Sequence, residues 1–232
     1  MPFVEHELQG RNFDHLQPAY LRINPRGQVP SMVHDGLVLT EGMCINEYID
    51  EAFDGPPLRP ADPIERWRMR VWCRYAENDL GRCLMMINWN RIVPTFIGAR
   101  DMKEVDKIIA SVPDPDRRRS WRNAFEQKTP PEAIEESHRR VREGAFRIER
   151  ELDRWPWLAG HSYSLADIDF MNFCGMIMTL WMEDIVNEES TPAFMDWTRR
   201  MGERPAVREM NARRTGMPTR EQMEQQAGKE GG

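Results

Sequence analysis

Apolar and polar positions alternate in two different rhythms along this chain. Near the start, Phe3 to Leu8 (FVEHEL) alternates at the period of two that a half-buried strand requires. Arg11 to Ile23 is polar apart from a few large apolar residues and reads as a short, irregular helix interrupted near Pro18. Two apolar runs follow, Val29 to Val33 and Leu37 to Leu39, separated by His34-Asp35-Gly36. Asp-Gly between two such runs predicts a hairpin. Pro30 lies inside the first run, where it removes a ladder donor and so marks an edge, a bulge or a cis bond. From Met43 to Phe53 the period changes: Ile45, Tyr48, Ile49 and Phe53 fall on one helical face, so the hairpin hands directly into an amphipathic helix. A helix N-terminus beside a proline-exposed strand end suits a small anionic peptide.

Beyond Asp54-Gly55-Pro56-Pro57 the pattern is helical almost throughout. Asp62-Pro63 has the form of an N-cap followed by a first-turn proline, and an apolar stripe from Ile64 through Trp89 predicts a long helix reaching Pro94. Val105, Ile108 and Ile109 predict a short helix ended by Pro113 and Pro115, with a further turn over Ser120 to Phe125. A second long helix is expected between Pro130 and Trp155, and two terminal helices over Pro192–Met201 and Pro205–Ala212. In Ser164-Leu165-Ala166-Asp167 the spacing of hydroxyl and acid is that of a capping box, opening a helix that is apolar nearly all round. Ser164 and Asp167 are therefore read as a structural cap rather than a catalytic pair. The domains expected are residues 1–55, a linker at 56–61, a helical domain over 62–214 and a polar tail at 215–232.

Composition narrows the function. The 232 residues carry a net charge of −6, which argues against general nucleic-acid binding. No apolar run reaches the ~18 residues of a membrane span, and the start does not read as a signal peptide. Cys44, Cys73, Cys83 and Cys174 are too scattered for a disulfide frame or a zinc site, and fit reduced thiols in a cytoplasmic protein. No metal site is expected. Arg117-Arg118-Arg119 reads as a solvated helix face or, alternatively, an anion site. Cys44 falls in a first helical turn, where a thiolate is stabilised, but its neighbours suggest packing.

Two landmarks then stand together: NPRGQVP with its hairpin and Thr40-Glu41-Gly42, and the YSLADI segment in a helical region. The combination resembles the cytosolic glutathione transferases. NPRGQVP, the LRPADP linker and the residues around Trp121 are similar to the bacterial glutathione-dependent β-etherases, which cleave lignin-derived aryl ethers. The resemblance implies an α+β two-domain fold: a thioredoxin-like domain, here without its usual first strand and helix, then an all-α domain. It implies that Pro30 is the family's cis-proline, with Val29 offering its backbone to the cysteinyl part of glutathione. Gln28 meets the glycyl end or simply faces solvent. Glu41 and Gly42 fall where the γ-glutamyl group is gripped, although Glu41 could merely compensate the helix dipole.

Gly42 stands where the family usually has serine, so a hydroxyl bond to a charged group is lost. The family's thiol-activating residue sits at the end of its first strand, and no position here matches it; the expectation is that it lies upstream of Met1. Met85, Met86 and Trp89, on the long helix expected to face the first domain, are candidates for an aromatic-substrate pocket or for core packing. Glutathione as co-substrate, an aromatic electrophile and a homodimer complete the expectation. Non-catalytic glutathione binding, or isomerase or dehalogenase chemistry on the same fold, are the alternatives.

Overall fold

A computed structural model describes residues 2–97, 100–179, 182 and 184–213. The expected tail at 215–232 lies outside the described residues. Two short 3₁₀ turns (Gly10–Asn12 and Asp14–Leu16) lead into helix α1 (Pro18–Leu21). The hairpin follows as strands β1 (Ser31–His34) and β2 (Leu37–Thr40), then α2 (Gly42–Ala52). Helix α3 (Pro63–Tyr75) continues through a π-helical turn at Ala76–Leu80 into α4 (Gly81–Ile97). The remaining helices are α5 (Met102–Ser111), α6 (Pro115–Phe125), α7 (Pro131–Leu152), α8 (Leu165–Thr179), α9 (Pro192–Glu203) and α10 (Pro205–Arg213).

Several starts follow directly from local chemistry. Asp62 accepts the backbone N–H groups of Ile64 and Glu65, each at 2.9 Å, and caps α3 with Pro63 in its first turn. Asp101 does the same for Lys103 and Glu104 at α5. Asp35 and Gly36 both adopt positive φ, 49° and 79°, the turn that matches the twist of the strands it joins. The register pairs His34 with Leu37 and Ser31 with Thr40.

Three expectations are corrected. Phe3 to Leu8 forms no strand: among the described residues the sheet contains only β1 and β2, and Phe3 and Val4 are exposed. Alternation alone does not make a strand when no neighbouring backbone completes its hydrogen bonds. Second, Pro115 opens a helix instead of ending one. Asp114 accepts the Arg117 N–H at 2.7 Å and the ring occupies the first turn, so α6 runs eleven residues. Third, Cys44 is exposed rather than packed.

The chain forms two compact units that do not follow its order: residues 1–57 with 89–130, and residues 58–88 with 131–232. In the first, Phe13 and Leu16 bury themselves against Val105, Ile109, Val112 and Trp121, so α5 and α6 supply the core beneath the 3₁₀ turns. In the second, α7 packs on α9 and α3 on α8. Trp72 meets Phe170 edge-on at 5.4 Å, and the Arg147 guanidinium lies over Trp72 and Tyr75 at 4.7 and 4.3 Å. Glu149 on α7 accepts the Ala193 and Phe194 N–H groups and so caps α9, whose own Thr191 provides no side-chain cap.

Within this second unit, Asp167 is buried and is the acceptor for four donors. One carboxylate oxygen takes the Leu158 N–H (3.2 Å) and the Trp197 indole N–H (2.9 Å); the other takes the Ser164 N–H (3.0 Å) and hydroxyl (3.4 Å). The Ser164 oxygen accepts from Ala166, two residues on rather than the three of the standard box. Burial pushes the Asp167 carboxyl above its ordinary pKa, and the four donors pull against that shift.

Candidate functional site

The segment that precedes the hairpin is organised around one carbonyl. The Gln28 C=O accepts the Tyr20 hydroxyl at 2.6 Å and the Asn24 amide at 2.8 Å. With its proton given to that carbonyl, the Tyr20 oxygen accepts from the Ser31 hydroxyl at 2.9 Å, and the Asn24 amide donates to the same hydroxyl at 3.3 Å, so the two residues hold the chain on either side of the Val29–Pro30 peptide. Tyr20 and Asn24 are buried; Gln28, Val29 and Pro30 are exposed. Asn24 further accepts the Arg26 N–H at 3.0 Å and, through its carbonyl, the Gly27 N–H at 2.9 Å. Gly27 has φ 58°, and an added Cβ would come 3.0 Å from Leu16 and 3.2 Å from the His15 carbonyl, so only glycine closes this turn without strain. The Val29–Pro30 peptide is cis.

Four residues to which the sequence assigned no part in holding this loop therefore shape it: Tyr20, Asn24, Arg26 and Arg117. The Arg117 guanidinium donates to the carbonyls of Arg26 (2.9 Å) and Gly27 (3.1 Å), some ninety residues away in sequence. Arg26 in turn bonds Glu41 at 2.8 Å. Asn24 at the head of a Pro-Arg-Gly turn carries a local signal, since asparagine favours that position. Arg117 carries none, because its reach depends on where α6 packs.

Glu41 precedes α2 at φ 66° and makes no side-chain cap. Its carboxylate is half-exposed at the helix start, near the α2 N–H groups that have no intrahelical acceptor. Gly42 opens α2; a Cβ there would meet only Pro30, at 3.7 and 3.8 Å, which is ordinary contact. Beneath these residues, His34, Tyr48 and Phe53 tie hairpin to helix. The Tyr48 hydroxyl sits 2.6 Å from the His34 ring nitrogen, and Phe53 lies 4.9 Å from the His34 ring.

The three arginines of α6 do not share a role. Arg117 is half-buried, and burial lowers its pKa, with Arg26 adding to the shift and Asp114 opposing it. Arg118 bonds the carbonyls of Val112 and Pro113 at the entry to its own helix. Arg119 pairs with Asp116 at the surface. Arg118 and Arg119 are exposed, as the solvated face requires, and Arg117 is not.

Of the pocket candidates, Trp89 stands 4.2 Å from Trp121 and packs against the first unit's core. In the second unit, Met85 is exposed and Met86 half-buried. Among the described residues no cluster of His, Cys, Asp or Glu could hold a metal ion.

A cis-proline loop, a two-stranded hairpin feeding a helix start and a following set of helices define a known class. The family model for the glutathione S-transferase N-terminal domain matches residues 2–51, and that for the C-terminal domain matches residues 84–205. The chain belongs to the glutathione S-transferase family. Within it, the chain is similar to protein LigF of Sphingobium sp. strain SYK-6: 34% identical over 208 residues, spanning 85% of this chain and 79% of that one. The crystal structure of β-etherase LigF superimposes with a TM-score of 0.84 at 33% identity, covering 89% of this chain and 86% of that chain. A glutathione transferase from Burkholderia graminis, whose crystal structure holds two glutathione molecules per subunit, has a TM-score of 0.67. It covers 93% of this chain and 80% of its own, and at 19% identity its likeness extends to the fold alone.

Proposed function

We propose that this chain is a glutathione transferase of the β-etherase type. Glutathione thiolate attacks the carbon beside a benzylic ketone of an aromatic β-aryl ether; a C–S bond forms, the C–O bond breaks, and phenolate leaves. The observation that carries the reading is the loop and hairpin of Asn24–Gly42. It presents an exposed Val29–Pro30 segment beside the open N-terminus of α2, the two features that a γ-glutamyl tripeptide needs. The likeness to β-etherase LigF across most of both chains supports the substrate class.

In this reading the Val29 backbone pairs with the cysteinyl residue as a strand would, and the α2 N–H groups receive the γ-glutamyl carboxylate. Glu41 pairs with the ammonium, in competition with Arg26. Gln28, exposed at the loop, meets the glycyl end. Met85, Met86 and Trp89 are the residues assigned to the aromatic substrate, with Trp89 half-buried against Trp121. Ser164 and Asp167 act as a structural cap. The glutathione-binding domain is assigned to residues 1–55 and the helical domain to 62–214, and the protein works as a cytoplasmic homodimer. Among the described residues Cys44, Cys73 and Cys83 form no disulfide, and no helix is long and apolar enough to cross a membrane.

Two measurements test the reading. Calorimetric titration should give a glutathione complex, and a β-aryl ether ketone incubated with glutathione should release one phenol per thioether formed. Absence of binding at about millimolar glutathione would sink every glutathione-dependent reading. Binding without turnover would favour a non-catalytic family member, for which the missing hydroxyl at Gly42 is the supporting observation.

A further inference from the structure

We propose that Arg117 is a positioning residue for glutathione: it sets the loop that presents the Val29 peptide, without touching the ligand itself. The inference rests on the glutathione-binding reading above and adds a residue to it from α6, far from the hairpin in sequence.

The geometry has three parts. A single Arg117 nitrogen, Nη2, lies between two successive carbonyls, at 2.9 Å from Arg26 and 3.1 Å from Gly27. Those carbonyls come immediately before Gln28, whose own carbonyl is held by Tyr20 and Asn24. The loop is thus gripped at two adjacent points, from α1 and its following turn on one side and from α6 on the other. Only after these anchors does the chain reach the exposed Val29.

The second part is the rigidity of the anchor. Asp114 accepts the Arg117 N–H in the first turn of α6, and the guanidinium carbon lies 5.9 Å from the Trp121 ring centre. Trp121 is buried against Phe13, Leu16, Val105, Ile109 and Val112. The Arg117 backbone is thus fixed at the start of α6, and its head lies beside a ring that is part of a packed core. The third part is a relay. The residue whose carbonyl Arg117 holds is Arg26, and the Arg26 side chain bonds Glu41 at the start of α2. One anchor on α6 thus orders both the peptide that pairs with the cysteinyl group and the cation that competes for Glu41.

Arginine suits this task better than lysine. Its planar fork directs N–H groups along fixed lines and is more weakly hydrated, so half-burial beside two carbonyls costs it less than it costs an ammonium. The Arg117 Nε is buried and has no hydrogen-bond partner among the described residues. The position thus accepts a buried, unpaired donor and keeps the carbonyl contacts at the other end of the fork.

A comparison of Arg117→Met, Arg117→Lys and Arg118→Met with the unaltered protein tests the idea. Arg118 is the control: it bonds carbonyls at the entry to its own helix and does not reach the loop. Hydrogen exchange reads the loop through the Gly27 amide, which donates to the Asn24 carbonyl at 2.9 Å. Arg117→Met should speed exchange there and weaken glutathione binding by about tenfold, the effect of losing roughly one hydrogen bond to a charged group. Arg117→Lys should recover part of both effects by restoring one donor. Arg118→Met should lower thermal stability while leaving Gly27 exchange and glutathione affinity unchanged. Equal glutathione affinity in Arg117→Met and unaltered protein, or a weakening matched by Arg118→Met, overturns the positioning role. Unaltered protein that fails to bind glutathione overturns the parent reading, and the ligand named here with it.

Discussion

The loop and hairpin of Asn24–Gly42 and the capped start of α8 are both polar constructions in an otherwise apolar setting, and they resolve their polarity in opposite ways. At Ser164–Asp167 the polar atoms turn inward. Asp167 accepts four donors from three different segments and is fully buried, so water reaches none of it. At Asn24–Gly42 the anchoring groups are buried, but what they anchor is exposed: Val29 is 60% accessible, and the start of α2 faces out with an ion pair beside it. A closed network gives stability and nothing to bind. An open one holds backbone groups ready for a ligand, with the anchors beneath supplying the rigidity.

This contrast predicts that substitutions in the two regions separate stability from binding. The largest effect is expected at Asp167→Ala, which strands the Leu158, Ser164 and Trp197 donors inside the protein. Stability should fall by ~3 kcal/mol or more in chemical denaturation, with glutathione affinity retained by the molecules that remain folded. A loss below roughly 1 kcal/mol would mean that the cap is not the closed network described.

Glu41→Gln should do the reverse. It keeps the shape and removes the charge, so glutathione affinity in calorimetry should drop by about tenfold while the denaturation midpoint hardly moves. Gly42→Ser sharpens the comparison in the favourable direction. The Cβ finds ordinary contact with Pro30, and the new hydroxyl offers the γ-glutamyl carboxylate a donor, so affinity should rise by up to about tenfold. Unchanged affinity would place the γ-glutamyl group elsewhere.

The smallest effect concerns a third polar site, in the second unit. Glu65 accepts the His161 N–H at 2.9 Å and lies 3.0 Å from the His161 ring nitrogen. Gly160, at φ 134°, makes room for it, since a Cβ there would come within 2.6 Å of the Glu65 oxygen. The backbone bond from His161, followed by the ring contact and Ser162, holds the Glu65 carboxyl below its ordinary value of 4.5 against the opposing effect of burial. A depressed folded-state value contributes stability that is present above pH 4.5 and is lost as pH falls through the lowered value. Glu65→Gln should therefore be less stable than the unaltered protein at about pH 6, and the gap should shrink by about pH 3. Denaturation curves at the two pH values check this; a constant gap would remove the carboxylate from the account.

How much of this was legible beforehand depends on the range of the interaction involved. The Asp35-Gly36 turn and the Asp62-Pro63 start of α3 follow from contacts within a few residues, and they stand where the pattern placed them, as do the two terminal helices. Pro115 is ambiguous in the sequence because a proline ends one helix and begins another equally well; the Asp114 side chain decides which. Phe3–Leu8 failed for a different reason. Its alternation is a property of the segment, whereas a strand is a property of a pair.

The same division holds for the site. The sequence by itself determined the order of proline, turn and helix start, which is local chemistry, and through the family resemblance that this order carries it offered Gln28, Val29, Pro30, Glu41 and Gly42 as the residues proposed to face glutathione. Only the tertiary structure decided what holds them. Tyr20 and Asn24 converge on one carbonyl, Arg26 occupies Glu41, and Arg117 arrives from ninety residues away. Such contacts depend on how α5 and α6 bury Phe13 and Leu16, and the energy of that burial is shared among many side chains with no single spacing to announce it.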